Sequence, residues 1–431
     1  MRTVGLIAEY NPFHNGHAWH MQEAKRVSGA DFCVVVMSGN FVQRGAPAIL
    51  DKYARAKMAL ACGADLVLEL PVSWALGSAE YFASGAVSLL ESLGVVDSLC
   101  FGSECGELAP LYETARILNN EPEEYRILLK KNLKSGKSFP LARADALNQY
   151  LPRTQLPVSS LLREPNNTLG IEYLKALLRL DSKMQALTIP RAGSAYHSDT
   201  LHETFSSATA LRKLLGSVEI SCGGFVSPES PIPPLPEVLE HKMPRSAYKI
   251  LQGYLGKSCP VSAQDFSALL HYRLLSVSSP EELAGFQDVS AELADRIFRL
   301  IPRFEDFEQF TALVKTKQYT ESRISRCLFH ILLDIRMETV QAQKDSGWNS
   351  YARVLGLRKK SSSLLHEIKE RSRVPLITKL ADAKKLLTPK QMAFLQKDIY
   401  ASEVFQCVTT GKFKQDAYSE YRRQIITWDK S

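Results

Sequence analysis

The stretch Glu9-Tyr10-Asn11-Pro12-Phe13-His14-Asn15-Gly16-His17-Ala18-Trp19-His20 gathers three histidines, a proline and a glycine into one short segment. An apolar run, Thr3–Ala8, precedes it, and helical spacing begins near Ala18. The segment therefore reads as a turn at the carboxyl end of a first strand and the amino end of a first helix. Unpaired backbone N–H groups and the helix dipole make such a turn attractive to phosphate. His14 and His17 stand three apart across the helix start, so both rings can face one anion. Gly16 removes a side chain where a base or ribose would approach the backbone, and Asn11 and Pro12 shape the turn. Nucleotidyl transfer builds negative charge on phosphoryl oxygens, and imidazoles with helix-end amides stabilise that charge. Two other readings stand beside this one. The rings could fill a core, or His14, His17 and His20 could hold zinc, although the HExxH spacing of a helical zinc site is missing.

Elements that would position these residues follow from the apolar pattern. Short runs at Thr3–Ala8, Phe32–Met37, Leu66–Leu70 and Ser98–Phe101 alternate with helical spacing at Ala18–Ser28, Leu50–Cys62 and Ala79–Leu93. Such alternation predicts βαβ units in an α/β, doubly wound, mostly parallel Rossmann-like sheet, with ligands at the strands' carboxyl ends. Residues 108–160 read as a helical insertion. Strand character returns at Met184–Ile189 after a helix at Leu169–Leu180. Proline crowds Ser227–Ser246, the best linker candidate. Beyond it the spacing predicts helices at Ala263–Ser276, Pro280–Ile301, Phe304–Thr316, Glu321–Met337, Ser362–Arg371 and Pro389–Gln406. The expected organisation is thus a nucleotide-binding domain over 1–226, a linker over 227–246 and an all-α, basic domain over 247–431.

The chain's 431 residues exceed what one core comfortably organises, in keeping with that division. At 45% hydrophobic and 23% charged residues, the composition is that of an ordinary globular protein and excludes a disordered or fibrous one. The first residues lack the basic-then-apolar pattern of a signal peptide. No apolar run approaches the roughly 18–20 residues that span a bilayer. Eight cysteines without a CxxC pair read as reduced thiols of a cytoplasmic protein, and no metal site is expected from them. The net charge of +7 is uneven. Residues 351–431 carry 17 Lys and Arg against 8 Asp and Glu, while the rest carry 36 against 38. That excess points to a polyanionic partner, nucleic acid first, or else to a solvated helix surface.

After a strand, Phe13-His14-Asn15-Gly16-His17 resembles the HxGH signature of the nucleotidylyltransferase superfamily, relatives of class I aminoacyl-tRNA synthetases. Ser207-Ala208-Thr209-Ala210-Leu211-Arg212 resembles that superfamily's second motif, in which hydroxyls at a helix start and an arginine grip the triphosphate. Further runs narrow the resemblance to the bacterial tRNA(Met) cytidine acetate ligase family. They are Ser38 to Gly45 with Pro47-Ala48, Lys52 and Arg55; Phe101-Gly102-Ser103-Glu104; Pro165-Asn166-Asn167 with Leu169 to Tyr173; and Arg191 through Tyr196-His197. These motifs span roughly residues 1–215. One departure is Ala46, where the family often has an acidic residue.

The resemblance implies a two-step reaction. Acetate attacks the α-phosphate of ATP to give acetyl-adenylate, and the wobble cytidine amine of elongator tRNA(Met) then takes the acetyl group. It implies His14 and His17 as catalytic residues. It implies an ATP site made by Ile7, Ala8, Glu9, Tyr10, Asn11, Pro12, Phe13, His14, Asn15, Gly16, His17, Ala18, Trp19 and His20. Gly102, Asn166, Arg191, Ser207, Thr209 and Arg212 complete it. Gly102 leaves room for adenine or ribose, Asn166 offers donor and acceptor, and the planar fork of Arg191 suits phosphate. Glu9 either holds the motif loop or positions the Mg²⁺ that accompanies ATP by default. Arg44 and Lys52 read as phosphate or RNA contacts, the alternative being surface charge. Arg358, Lys359 and Lys360, with Arg371, Arg373, Lys384, Lys385, Arg422 and Arg423, are where tRNA backbone contacts are expected. Tyr351 and Phe394 are stacking candidates, with core burial as the competing reading. No membrane and no obligate protein partner are implied. The alternative activity is nucleotidyl transfer to a small phosphorylated or carboxylated metabolite, and a non-catalytic RNA-binding protein is the reading from another class.

Overall fold

The apolar runs of the first hundred residues fold as strands, because each buries both faces. The structure, a computed structural model, describes residues 1–151, 158–191, 208–217 and 236–429. Its strands are β1 (Thr3–Ala8), β2 (Phe32–Ser38), β3 (Phe41–Val42), β4 (Ala46–Pro47), β5 (Leu66–Leu70), β6 (Ser98–Ser103), β7 (Gln185–Pro190), β8 (Ala352–Arg358), β9 (Leu376–Ile377) and β10 (Ile426–Trp428). β3 and β4 form a small hairpin; the others make one sheet in the order β10-β8-β5-β2-β1-β6-β7, with β9 also on β8. The five strands β5, β2, β1, β6 and β7 run parallel. The chain winds outward from β1 through β2 to β5, then crosses to the other side for β6 and β7. β1 and β6 therefore flank the switch point, where a doubly wound sheet opens its crevice.

Period-2 alternation sorts the side chains into two cores. Val34, Val36, Leu66 and Leu68 belong to one, and Cys33, Val35, Met37 and Val67 to the other. Helices Ala79–Ser92 and Pro165–Arg179 cover the first face; α1 (Asn15–Ser28) and α2 (Lys52–Ala61) cover the second. Gly29 ends α1 with φ +60° and Asp51 caps α2 by accepting from the Ala54 N–H at 2.8 Å. Four helices, Leu108–Asn120, Glu123–Lys134, Phe139–Tyr150 and Val158–Arg163, lie between β6 and the helix leading to β7. No described helix is long and apolar enough to cross a membrane.

The expectation of an all-α region beyond residue 247 needs correction. It is mostly helical, yet β8, β9 and β10 come from it, and β8 pairs antiparallel with β5. The open edge of β5 presents backbone N–H and C=O groups that must be paired when buried, and Tyr351–Arg358 supplies the partner. Long predicted helices also break: Pro280–Ala284 and Ala291–Leu300 replace one continuous span. Residues 227–235 of the proline-rich segment lie outside the described residues, as do Tyr196 and His197, while Val238–Lys242 within it forms a short helix.

Two buried cations tie these elements together. Arg55, fully buried, donates to the carbonyls of Glu9 (2.6 Å), Ser38 (3.1 Å), Leu50 (3.0 Å) and Gly39. It thereby joins the ends of β1 and β2 to the start of α2. Lys52, expected at a phosphate or RNA, is instead completely buried. Its ammonium meets Glu69 at 2.7 Å, Glu420 at 2.6 Å and the Ser402 hydroxyl at 2.7 Å. Arg353 of β8 closes the square, at 3.0 Å from Glu69 and 2.7 Å from Glu420. A cation this enclosed keeps its charge only because two carboxylates face it. Lys52 is thus a fastener between the sheet and the C-terminal region.

Two outcomes follow for stability. Replacing Glu69 by Gln leaves two buried cations sharing one carboxylate, and urea unfolding should show a loss of about 3–5 kcal/mol. Arg55→Lys cannot reach four carbonyls with one ammonium, and should cost about 2 kcal/mol or more by the same measurement. Wild-type stability in either variant would refute the role given to that group.

Candidate active site

At the switch point a cavity of about 210 Å³ opens at the carboxyl ends of β1, β6 and β7. The turn after β1 forms its floor. Tyr10 sits there with φ +48°, a left-handed conformation that costs a side-chain-bearing residue about 1–2 kcal/mol. The turn is held from several sides. The Asn11 side-chain oxygen accepts from the Ile49 N–H at 2.8 Å, and the Glu9 carboxylate accepts from the Gln43 N–H at 2.9 Å. Arg212 donates to the Asn11 carbonyl at 2.8 Å.

His14 is the N-cap of α1. Its Nδ1 accepts from the Gly16 N–H at 3.1 Å, while Nδ1 of His17 accepts from the His14 N–H at 3.3 Å. Each ring therefore uses Nδ1 as acceptor, which leaves the proton of the neutral form on Nε2. The two rings stack at 3.7 Å between centroids, and Tyr10 meets His17 edge-on at 4.9 Å. Burial, then the neighbouring Arg191 and Arg212, lowers the His14 pKa to about 3. Burial and His14 hold His17 well below the usual imidazole range, and burial with Arg191 lowers His20 to about 4. All three are neutral at neutral pH and can serve as N–H donors. The rings line a cavity rather than fill a core, and both Nδ1 atoms of His14 and His17 are taken up by backbone N–H groups.

Positive charge comes instead from guanidinium groups. Arg44, Arg191 and Arg212 all line the cavity, against one carboxylate, Glu9. Arg212 and Arg44 both donate to the Thr209 hydroxyl, at 3.0 and 3.4 Å. Arg191 donates to the Asn166 amide oxygen at 2.9 Å, and the Asn166 amide donates to Glu104 at 2.5 Å. Glu104 also accepts from the Asn167 N–H at 2.8 Å, fixing the amino end of the Pro165–Arg179 helix at the rim. A Cβ on Gly102 would stand 3.3 Å from Cγ of Arg191, so glycine there keeps that arm in place. A Cβ on Gly170 would strike the Phe101 ring at 2.6 Å. Phe101 and Tyr173 line the far side, ring centroids 5.7 Å apart, as an apolar wall suited to a nucleobase.

Of the expected ATP-site residues, Ile7, Ala8, Glu9, Tyr10, Asn11, His14, Gly16, His17, Trp19 and His20 line the cavity, with Gly102, Asn166, Arg191, Thr209 and Arg212. Pro12, Phe13, Asn15 and Ala18 do not; Phe13 is core, and the Asn15 amide donates to the His241 carbonyl at 2.8 Å. Ser207 lies outside the described residues. Gln43, Phe101, Leu169, Tyr173 and Ala208, quoted only within motifs, also line the cavity, and Phe82 and Ile189 line it without having been singled out. Phe82 and Ile189 carry no polar signal and arrive only through packing. Arg358 lies elsewhere. β8 runs antiparallel to β5, so Arg358 ends at the sheet's amino edge, clasping the Leu60 carbonyl at 2.8 and 3.1 Å. Lys359 pairs with Asp429 nearby. Tyr351 and Phe394 are buried, as the competing reading had it.

Comparison with known proteins covers the chain from end to end. A family model described as HIGH Nucleotidyl Transferase matches residues 1–420. The tRNA(Met) cytidine acetate ligase of Acetivibrio thermocellus is 40% identical over 428 residues, 99% of this chain and all of that protein. A namesake from a Thermoanaerobacter species is 42% identical over 94% of this chain and 95% of its own. Among solved structures, apo Thermotoga maritima TmcAL superposes with a TM-score of 0.90 at 29% identity, each chain covered fully. The same protein bound to alpha-thio ATP gives 0.88 at 30% identity, again over both whole chains. A nucleotide-ready turn at the switch point, set in a fold shared end to end with these proteins, makes this chain a member of the tRNA(Met) cytidine acetate ligase family of HIGH nucleotidyltransferases.

Proposed function

We propose that the protein is an ATP-dependent ligase that joins acetate to the exocyclic amine of the wobble cytidine of elongator tRNA(Met). The observation that carries this reading is the pairing of two stacked, neutral imidazoles with three guanidinium groups in one cavity. Such a set receives a triphosphate and leaves its α-phosphorus open to attack. Acetate is already ionised at neutral pH, so its oxygen attacks without a general base. As the new P–O bond forms, the bond to the bridging oxygen breaks and pyrophosphate departs. Nε2–H groups of His14 and His17 are aimed to donate to the phosphoryl oxygens as charge grows there, with Arg44, Arg191 and Arg212 neutralising the leaving group. The cytidine amine then attacks the acetyl carbon, AMP leaves, and the nitrogen sheds a proton. A Mg²⁺ ion travelling with the triphosphate would find Glu9 as the one carboxylate lining the cavity among the described residues, which suits an ion held mainly by phosphates and water. The activated anhydride is needed because the amine is a poor nucleophile, and the unpaired wobble base must leave its stack to reach it. RNA contacts are assigned to the carboxyl edge, where Arg422 and Arg423 are exposed, rather than to Arg358 to Lys360. The site of action is the cytoplasm, with the tRNA.

Incubation with ATP, labelled acetate and tRNA should place label in tRNA cytidine. His17→Ala should lower acetate-dependent ATP–pyrophosphate exchange by about a hundredfold. Label appearing only in a small phosphorylated acceptor would refute the reading.

Acid should also loosen the empty site. Unfolded imidazoles protonate near 6.5, whereas folded His14 and His20 do so only near 3 and 4. The unfolded state then binds more protons in between, so stability falls as pH drops from about 6.5 towards 4. Asp398, raised to about 6 by burial, opposes this as one group against three. The melting temperature should fall across that window, and fall less in a His14→Gln, His20→Gln variant. Equal slopes would count against the neutral imidazoles.

A further inference from the structure

A second cavity, of about 200 Å³, lies at the same carboxyl edge on the side of β2 and β5. Nothing in the adenylation chemistry uses it. Asn40 lines this cavity, while Gln43 and Arg44 line the first. Three residues lie between Asn40 and Arg44, so their Cα atoms stand at most about 14 Å apart. Of the buried square of Lys52, Glu69, Arg353 and Glu420, only Glu420 reaches the cavity wall, beside Tyr53, which donates to it at 3.2 Å. At its mouth the exposed Arg423 guanidinium packs over two rings, Tyr53 at 5.6 Å and Tyr418 at 5.4 Å. Flat cationic and aromatic surfaces of this kind take an unstacked base.

We infer that this cavity binds one unpaired nucleotide of the anticodon loop, distinct from the base that is acetylated; the inference rests on the tRNA ligase reading above. Charge decides what enters. Asp51 and Asp416 line the cavity and repel a phosphate, while Glu420 is already neutralised by Lys52 and Arg353; the amides of Gln406 and Gln415 can pair with a base edge. Lys257 and Arg423, exposed at the rim, are left for the backbone phosphates. The wobble base at one cavity and a loop neighbour at the other would be read together. Choice among tRNAs that all present a wobble cytidine then gains a second checkpoint.

The test uses the full-length protein with Thr409→Trp, which fills the cavity, and Tyr418→Ala, which removes the exposed ring. Both should raise KM for tRNA about tenfold. Acetate-dependent ATP–pyrophosphate exchange should stay at the wild-type level and report an intact fold. With wild type, an abasic substitution at one unpaired loop position other than the wobble should raise KM by a similar factor. That penalty should vanish in Thr409→Trp. If wild type acetylates tRNA but Thr409→Trp keeps its KM, or no abasic position couples to it, the inference fails alone. If wild type acetylates no tRNA while exchange proceeds, the ligase reading fails and takes the inference with it.

Discussion

The guanidinium of Arg55 is the constraint from which the site follows. Its partners are backbone carbonyls at the ends of two neighbouring parallel strands and at the head of α2. Burial lowers its pKa to about 10, which still leaves it cationic at neutral pH. Carbonyl groups that diverge at a sheet edge would otherwise face a dry interior with no donors. One planar, forked cation satisfies several at once, as no lysine could. The turn carrying Tyr10 to His14 is thereby fixed in a conformation it would not adopt alone.

Once the turn is fixed, its electrostatics divide the work. The imidazoles are kept neutral by burial and by the arginines around them, and each ring's Nδ1 is consumed by the helix cap. What remains is an N–H donor of defined direction. Charge is left to guanidinium groups, which do not titrate near neutrality. Donors held in place before the substrate arrives cost no reorganisation when phosphoryl charge develops. The same segment therefore caps a helix and lines the cavity with two neutral rings.

A second ionic assembly makes the C-terminal region part of the nucleotide-binding sheet. Lys52 and Arg353 alternate with Glu69 and Glu420 around a buried square, joining α2, β5, β8 and the loop before β10. The parts of the chain that read as two domains are stitched at the carboxyl edge. Basic residues near the C-terminus consequently fall on two sides of the molecule: Arg423 at the edge that holds both cavities, Arg358 at the opposite one.

Local sequence determined the parallel strands at Thr3–Ala8, Phe32–Ser38 and Leu66–Leu70 and the turn after the first of them, while Gly102, Asn166, Arg191 and Arg212 at the cavity were legible through resemblance to family motifs. The strands and the turn depend on short-range periodicity and turn chemistry, which a chain carries within a few residues. Tertiary structure alone decided that Ala352–Arg358 is a strand, since its buried Arg353 is tolerated only opposite Glu69 and Glu420. It alone decided that Lys52 is sealed away and that Phe82 and Ile189 complete the cavity wall. Whether a lysine is solvated or ion-paired, and whether an apolar run faces a helix or a sheet edge, depends on partners far away in the chain. No local pattern encodes them.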